Sequence, residues 1–109
     1  MITQQLKKQI VREEGLKTVK YRCTEGHATI GVGHNLDAMP TFKGKRIPDV
    51  IDEDLALDIF EADLSITVNA MLREFPVLFK LDDARRDALF NMGYQMGVNR
   101  LKFFSKMWD

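Results

Sequence analysis

The chain has 109 residues, 45% of them hydrophobic and 29% charged, with sixteen Lys/Arg balancing sixteen Asp/Glu. This is ordinary globular composition, enough for one domain with a modest core. The apolar runs are too short for a transmembrane helix, and the polar start Met1–Lys8 does not read as a secretory signal. Cys23 is the only cysteine, which excludes an intrachain disulfide and fits cytosolic synthesis.

In chain order, the first periodic stretch runs from about Thr3 to Glu14, with Leu6, Ile10 and Val11 at helical spacing. Thr3 is placed to cap its start and Gly15 to end it, so Glu14 falls in the last turn. The carbonyl ends there disfavour negative charge and should raise a carboxyl pKa. From Lys17 to about Leu36 the pattern has period two, with Val19 and Tyr21 alternating with Lys20 and Arg22. A polar turn, residues 23–27, leads into Ala28–His34, read as one strand of a small antiparallel sheet. In that strand Thr29, Gly31 and Gly33 share one face and Ile30, Val32 and His34 the other. Residues 37–50, with Pro40, Gly44 and Pro48, read as loop and a third strand.

A long helix, capped by Asp52 or Asp54, follows to Phe75 and ends before Pro76. Leu57, Phe60, Leu64, Val68, Met71, Leu72 and Phe75 mark its apolar stripe. Its ~22 residues would span ~33 Å, which suggests two lobes joined along it with a cleft between. After a short turn around 77–79, another helix runs from Asp82 or Asp83 to Met96 and ends at Gly97. Leu101, Phe104, Met107 and Trp108 begin a last amphipathic segment.

The chemistry concentrates in the run EGLKTVKYRCTEGHATIGVGHN. Eight residues separate Glu14 from Cys23, and five separate Cys23 from Thr29. Glycoside cleavage needs a proton donor on one side of the sugar bond and a group that holds water on the other. A carboxyl at a helix end facing a polar pair on a hairpin supplies both. Glu13 is the competing carboxyl. Cys23 stands in a polar turn, where Lys20 and Arg22 would lower its pKa. The Thr29 hydroxyl both donates and accepts. Cys23, His27 and His34 lack the spacing of a zinc site. Gly31-Val32-Gly33 lacks the third glycine of a dinucleotide fingerprint. The basic residues do not interleave with aromatics, which argues against single-stranded nucleic acid.

Glu14, Cys23 and Thr29, with Gly26 in the turn and the segment Thr29–His34, resemble the active-site segment of the T-even-phage lysozymes, in its cysteine variant. Residues 88–97, ALFNMGYQMG, are similar to that family's cleft helix. The resemblance implies an α+β fold: a small N-terminal lobe (about 12–51) with a β-hairpin or three-stranded sheet, a connecting helix (about 52–75), and a helical lobe formed by 76–109 with 1–11. It implies an endolysin that hydrolyses the β-1,4 bond between N-acetylmuramic acid and N-acetylglucosamine in peptidoglycan, with inversion. Glu14 would be the general acid, with Cys23 and Thr29 positioning water. It leaves Cys23 open as water holder or as nucleophile.

The resemblance further places Asn35, Tyr94 and Gln95 among cleft-lining residues and makes His34 and Asp63 a structural pair. No metal or organic cofactor is needed. The implied partner is peptidoglycan, with no nucleic acid and no membrane insertion. The protein would be a monomer that collects in the host cytoplasm and reaches the wall when a holin permeabilises the membrane. Nine Lys/Arg against four Asp/Glu in residues 1–48, and seven against twelve in 49–109, put the basic half on the motif. That suits approach to an anionic wall. Members of the family continue for several more helices, so the helical lobe is expected to be incomplete. A truncated fragment that at most binds peptidoglycan is the alternative reading.

Overall fold

A computed structural model describes residues 1–107; Trp108, Asp109 and the side chain of Met107 lie outside the description. The fold is α+β. In order come α1 (Gln4–Glu14), β1 (Lys17–Arg22), β2 (Ala28–Gly31), β3 (His34–Asn35), β4 (Thr41–Phe42), β5 (Lys45–Arg46) and α2 (Glu53–Glu74). A 3-10 turn (Pro76–Lys80), α3 (Asp83–Met96) and α4 (Val98–Met107) follow. The chain forms two compact units, one of residues 9–63 and one of residues 1–8 with 64–109.

Local chemistry sets the helix ends. The Thr3 hydroxyl accepts the Leu6 amide at 3.0 Å, and Gly15, at φ 76°, donates its amide to Val11 O at 2.8 Å. Asp52, not Asp54, caps α2 by accepting the Leu55 amide at 2.7 Å. Asp82 does the same for α3 through the Arg85 amide at 3.0 Å. Each such cap satisfies a backbone donor that the first helical turn leaves free.

In the unit of residues 9–63, β1, β2 and β3 form an antiparallel sheet in that order. Two expectations from sequence fail here. The segment Thr29–His34 is not one strand: β2 ends at Gly31 and the chain turns back through Val32 and Gly33 into β3, pairing Ile30 with His34. Gly31 and Gly33, at φ 67° and 71°, adopt the left-handed backbone that makes this reversal possible. Nor does β1 alternate simply. The register shifts between Lys17 and Tyr21, so Thr18 and Tyr21 are half-buried while Val19 is 56% exposed. A bulge of this kind re-aims the residues that follow it. The outer edge of β1 is covered by 49–51: Lys20 N donates to Asp49 O, and Ile51 N to Thr18 O, both at 2.8 Å.

The core of this unit joins Ile30, Ile47, Ile51, Ala56 and Ile59, with Leu16, Leu36, Phe42 and Leu55 packed against it. The buried stripe of α2 begins at Ala56, Ile59 and Phe60, and Leu57 points outward at 39% exposure. The Gly31 backbone packs over Ala56: a Cβ on the glycine would stand 3.7 Å from the Ala56 Cα and Cβ, an ordinary van der Waals contact. The third sheet strand is β3, not a segment of residues 37–50. Those residues instead form the β4–β5 hairpin, rooted by Ile47 N on Pro40 O at 2.9 Å.

In the other unit, Leu6, Leu64, Val68, Met71, Leu78 and Phe90 are buried. A Cβ on Gly93 would stand 2.7 Å from Met71 Sδ, so α3 meets α2 only because residue 93 has no side chain. Thr3 Oγ1 donates to Asp87 Oδ2 at 2.6 Å, fastening the start of α1 to α3. On α4, Leu101 is half-buried, while Phe103 and Phe104 are 66% and 50% exposed. The expected stripe residue Trp108 lies outside the described residues.

The β4–β5 turn, Lys43-Gly44, has φ 51° and 79°. Both values belong to a type I′ turn, which favours Asn-Gly, and a lysine there carries a steric penalty. Lys43→Asn is therefore expected to raise stability by roughly 0.5–1 kcal/mol, measured by denaturant unfolding. A loss of stability would contradict the left-handed backbone at this position.

Candidate active site

Glu14 ends α1 half-buried, and its carboxyl lies against the backbone of Gly33. A Cβ built on Gly33 would stand 2.9 Å from Glu14 Oε2 and 3.2 Å from Cδ. The glycine therefore serves twice, turning the β2–β3 connection and leaving room for the carboxyl. Burial, aided by repulsion from Glu13, raises the Glu14 pKa above the ordinary carboxylate range. The sequence reading had assigned the rise to the helix end. Glu13 faces outward, and the Gln9 amide donates to it at 3.0 Å along the exposed side of α1.

Cys23 opens the turn between β1 and β2. Its amide donates to His27 O at 3.0 Å, and its carbonyl accepts the Gly26 amide at 2.9 Å. The thiol pKa is lowered, first by the His27 backbone amide, then by the Glu25 amide and the Thr29 hydroxyl. The basic neighbours are not the cause. Lys20 pairs with Asp49 at 3.3 Å, and Arg22 Nη1 donates to Gly26 O at 2.8 Å, bracing the turn.

Thr29 is buried on β2, and its hydroxyl donates to His27 O at 2.9 Å. That hydroxyl has a single proton, so donation to the Cys23 sulfur competes with donation to the carbonyl. While the carbonyl takes the proton, the lone pairs of the hydroxyl stay free to accept. His27 itself lies in the open between Asp37 at 3.7 Å and Glu25 at 3.9 Å.

Asn35 sits on β3, paired with Thr29 in the sheet register. Its Oδ1 accepts the amides of Asp37 and Ala38 at 2.9 and 3.1 Å, which shapes the next turn. Tyr94 and Gln95 sit in the last turns of α3, in the other unit; Tyr94 is half-buried, and Gln95 donates to Asn91 Oδ1 at 3.4 Å. The geometry around Glu14, Cys23 and Thr29 is complete within residues 9–63 without them.

His34 is buried between two acceptors. Nδ1 lies 2.6 Å from Asp63 Oδ2 on α2, and Nε2 lies 2.7 Å from Met39 O at the root of the β4–β5 hairpin. A carbonyl can only accept, so Nε2 donates its hydrogen to Met39 O, while Nδ1 faces a carboxyl that favours the protonated ring. Burial by itself would lower the His34 pKa, but the bonds to Asp63 and Met39 and the Asp63 charge outweigh it and raise the pKa.

Sequence reasoning missed Tyr21. Once the bulge is passed, Tyr21 stands directly opposite Thr29 in the β1–β2 register. Burial raises its phenol pKa first, and the negative charges of Glu14 and Cys23 raise it further. Its position two residues before Cys23 was a usable signal, but simple alternation paired it with Val19 instead.

Comparison with known proteins gives the family. Residues 11–107 match the phage lysozyme family model, and the chain belongs to that family. It is 29% identical to the probable T4-type lysozyme 2 of Dictyostelium discoideum, over 93% of this chain and 71% of that protein. It is 28% identical to probable T4-type lysozyme 1 of the same organism, over 91% of this chain and 69% of that protein. It is also 30% identical to the pre-baseplate central spike protein of Enterobacteria phage T4, over 88% of this chain and 20% of that protein. Membership makes the chain a glycosidase of the lysozyme type, from a family that acts on peptidoglycan. Among the described residues, no helix is long and apolar enough to cross a membrane.

The histidine pair makes a stability prediction. Removing one partner of a buried ion pair typically costs about 3–5 kcal/mol. His34→Ala and Asp63→Ala should each lower the melting temperature, and the double variant should lose less than the sum. Because the folded pKa of His34 is raised, its contribution is full below the ordinary 6.5 and is lost as pH rises through the folded value. The melting-temperature gap between the parent and His34→Ala should therefore narrow in alkali. Additive losses, or a gap independent of pH, would argue against a charged pair.

Proposed function

We propose that the chain is a muramidase that cuts the β-1,4 bond between N-acetylmuramic acid and N-acetylglucosamine with inversion, as an endolysin reaching the wall through a holin-permeabilised membrane. The observation that carries this reading is the Glu14 carboxyl, half-buried on Gly33 with a raised pKa. A carboxyl held that way stays protonated to higher pH than an ordinary glutamate and can act as a general acid. Glu14 gives its proton to the glycosidic oxygen as the C1–O4 bond breaks. A water on the opposite face of the sugar donates one hydrogen to the Cys23 sulfur and the other to the Thr29 hydroxyl oxygen. Its own lone pair then points at C1. As the new C1–O bond forms, Cys23, present as the thiolate, takes the water's proton and becomes a thiol; it then loses that proton to solvent while the Glu14 carboxylate regains one.

The lowered thiol pKa and the donation of the Thr29 hydroxyl to His27 O support this division of labour. A sulfur attacking C1 directly would leave Thr29 with no water to hold. Within residues 9–63, Asn35 is a further proposed glycan contact; Tyr94 and Gln95, on the other unit, are proposed as glycan contacts from the family resemblance alone.

Glu14→Gln should reduce wall lysis by about 10²–10⁴-fold, the usual value of a positioned acid. Glu13→Gln should stay active. Activity needs protonated Glu14, so it falls as pH rises through the Glu14 pKa. Since Glu13 helps raise that pKa, Glu13→Gln should move the alkaline limb of kcat/KM to lower pH. Full lysis by Glu14→Gln, or equal loss in both variants, would remove Glu14 from the role.

The part played by Cys23 is read from the product. Proton NMR of the first-formed anomer from an oligosaccharide should show inversion, and Cys23→Asp should keep activity. Net retention, or a sugar mass trapped on Cys23, would make the sulfur a nucleophile and overturn the water-holding role.

A further inference from the structure

The sheet that carries Thr29 also carries two residues in line with it. Tyr21 pairs with Thr29 between β1 and β2, and Thr29 pairs with Asn35 between β2 and β3. Residues directly opposite one another in antiparallel strands project to the same face. Tyr21, Thr29 and Asn35 thus form one row across all three strands. The neighbouring pair, Ile30 and His34, projects to the other face and is buried.

Charge places the phenol among the reacting groups. Tyr21 stands opposite Thr29 in the sheet, and it is within electrostatic range of the proposed acid and the proposed water holder, whose ionised forms would both raise its pKa. Both of those side chains could accept from a phenol, yet the structure gives the Tyr21 hydroxyl no hydrogen bond to either. Burial raises its pKa further above the ordinary phenol value, so it stays protonated, and so a donor, at any pH where Glu14 works as an acid. A half-buried neutral donor beside two acceptors, bonded to neither, is suited to an oxygen that a ligand brings.

We propose that Tyr21 is a further substrate-contacting residue of this site, its hydroxyl donating to an oxygen of the sugar at the scissile bond. The proposal rests on the assignment of Glu14, Cys23 and Thr29. In the row, Tyr21 supplies a donor to the sugar, Thr29 an acceptor to the water, and Asn35 the turn that holds the third strand. The register shift in β1 is what sets Tyr21, in place of Val19, directly opposite Thr29.

Tyr21→Phe keeps the ring and removes only the hydroxyl, so the fold should survive. Its kcat/KM on a peptide-free N-acetylglucosamine–N-acetylmuramic acid oligosaccharide should fall about 10-fold, with the melting temperature and the alkaline limb of the pH profile unchanged. The same substitution in a Glu14→Gln background should weaken binding of that oligosaccharide several-fold in calorimetry, a readout that needs no turnover. A kcat/KM within twofold of the parent, or unchanged binding in the Glu14→Gln background, would overturn the contact. An active Glu14→Gln would instead sink the acid assignment, while the binding titration would still decide Tyr21.

Discussion

A single imidazole ties together three stretches of chain that are far apart in sequence. His34 reaches Asp63 on α2 through one nitrogen and the Met39 carbonyl through the other. Those bonds hold β3 against α2 and close the loop that leads into the β4–β5 hairpin. The residues on either side of His34 then have fixed places. Gly33 meets the Glu14 carboxyl, and Asn35 pairs with Thr29. A polar ring in the interior is tolerated only when its nitrogens find partners, and both nitrogens of His34 do.

The site is shaped as much by backbone as by side chains. Gly33 offers the Glu14 carboxyl a seat with no side chain in the way. Backbone amides of the 23–27 turn lower the Cys23 pKa, and the His27 carbonyl takes the proton of Thr29. Cys23 thus gains its polarity from the turn that contains it, while Lys20 and Arg22 are committed to Asp49 and Gly26. In such a setting the thiol gains acceptor strength that an isolated one lacks.

Much of the framework was legible because it depends on local chemistry. Thr3, Gly15, Asp82 and Gly97 mark helix ends that the structure reproduces, since a cap needs only a side-chain oxygen or a left-handed residue nearby. The Glu14–Cys23–Thr29 spacing was legible too, and family membership follows independently from residues 11–107. Tyr21 was hidden, because strict alternation cannot see a register shift that puts two extra residues into β1 between Lys17 and Tyr21. Leu57 was misplaced on the buried stripe, because the buried face of α2 is set by segments distant in sequence, as where Gly31 packs over Ala56.

The sequence by itself determined the elements, their caps, the family and the residue types of the candidate site. These depend on periodicity, capping chemistry and spacing, all of which act over a few residues. Only the tertiary structure decided that Ala28–Asn35 folds back on itself, that His34 is held between Asp63 and Met39, and that Glu14 rests on Gly33. The physical reason is that burial, proton sharing and cross-strand register are properties of neighbours in space. No spacing along the chain specifies which neighbours those are.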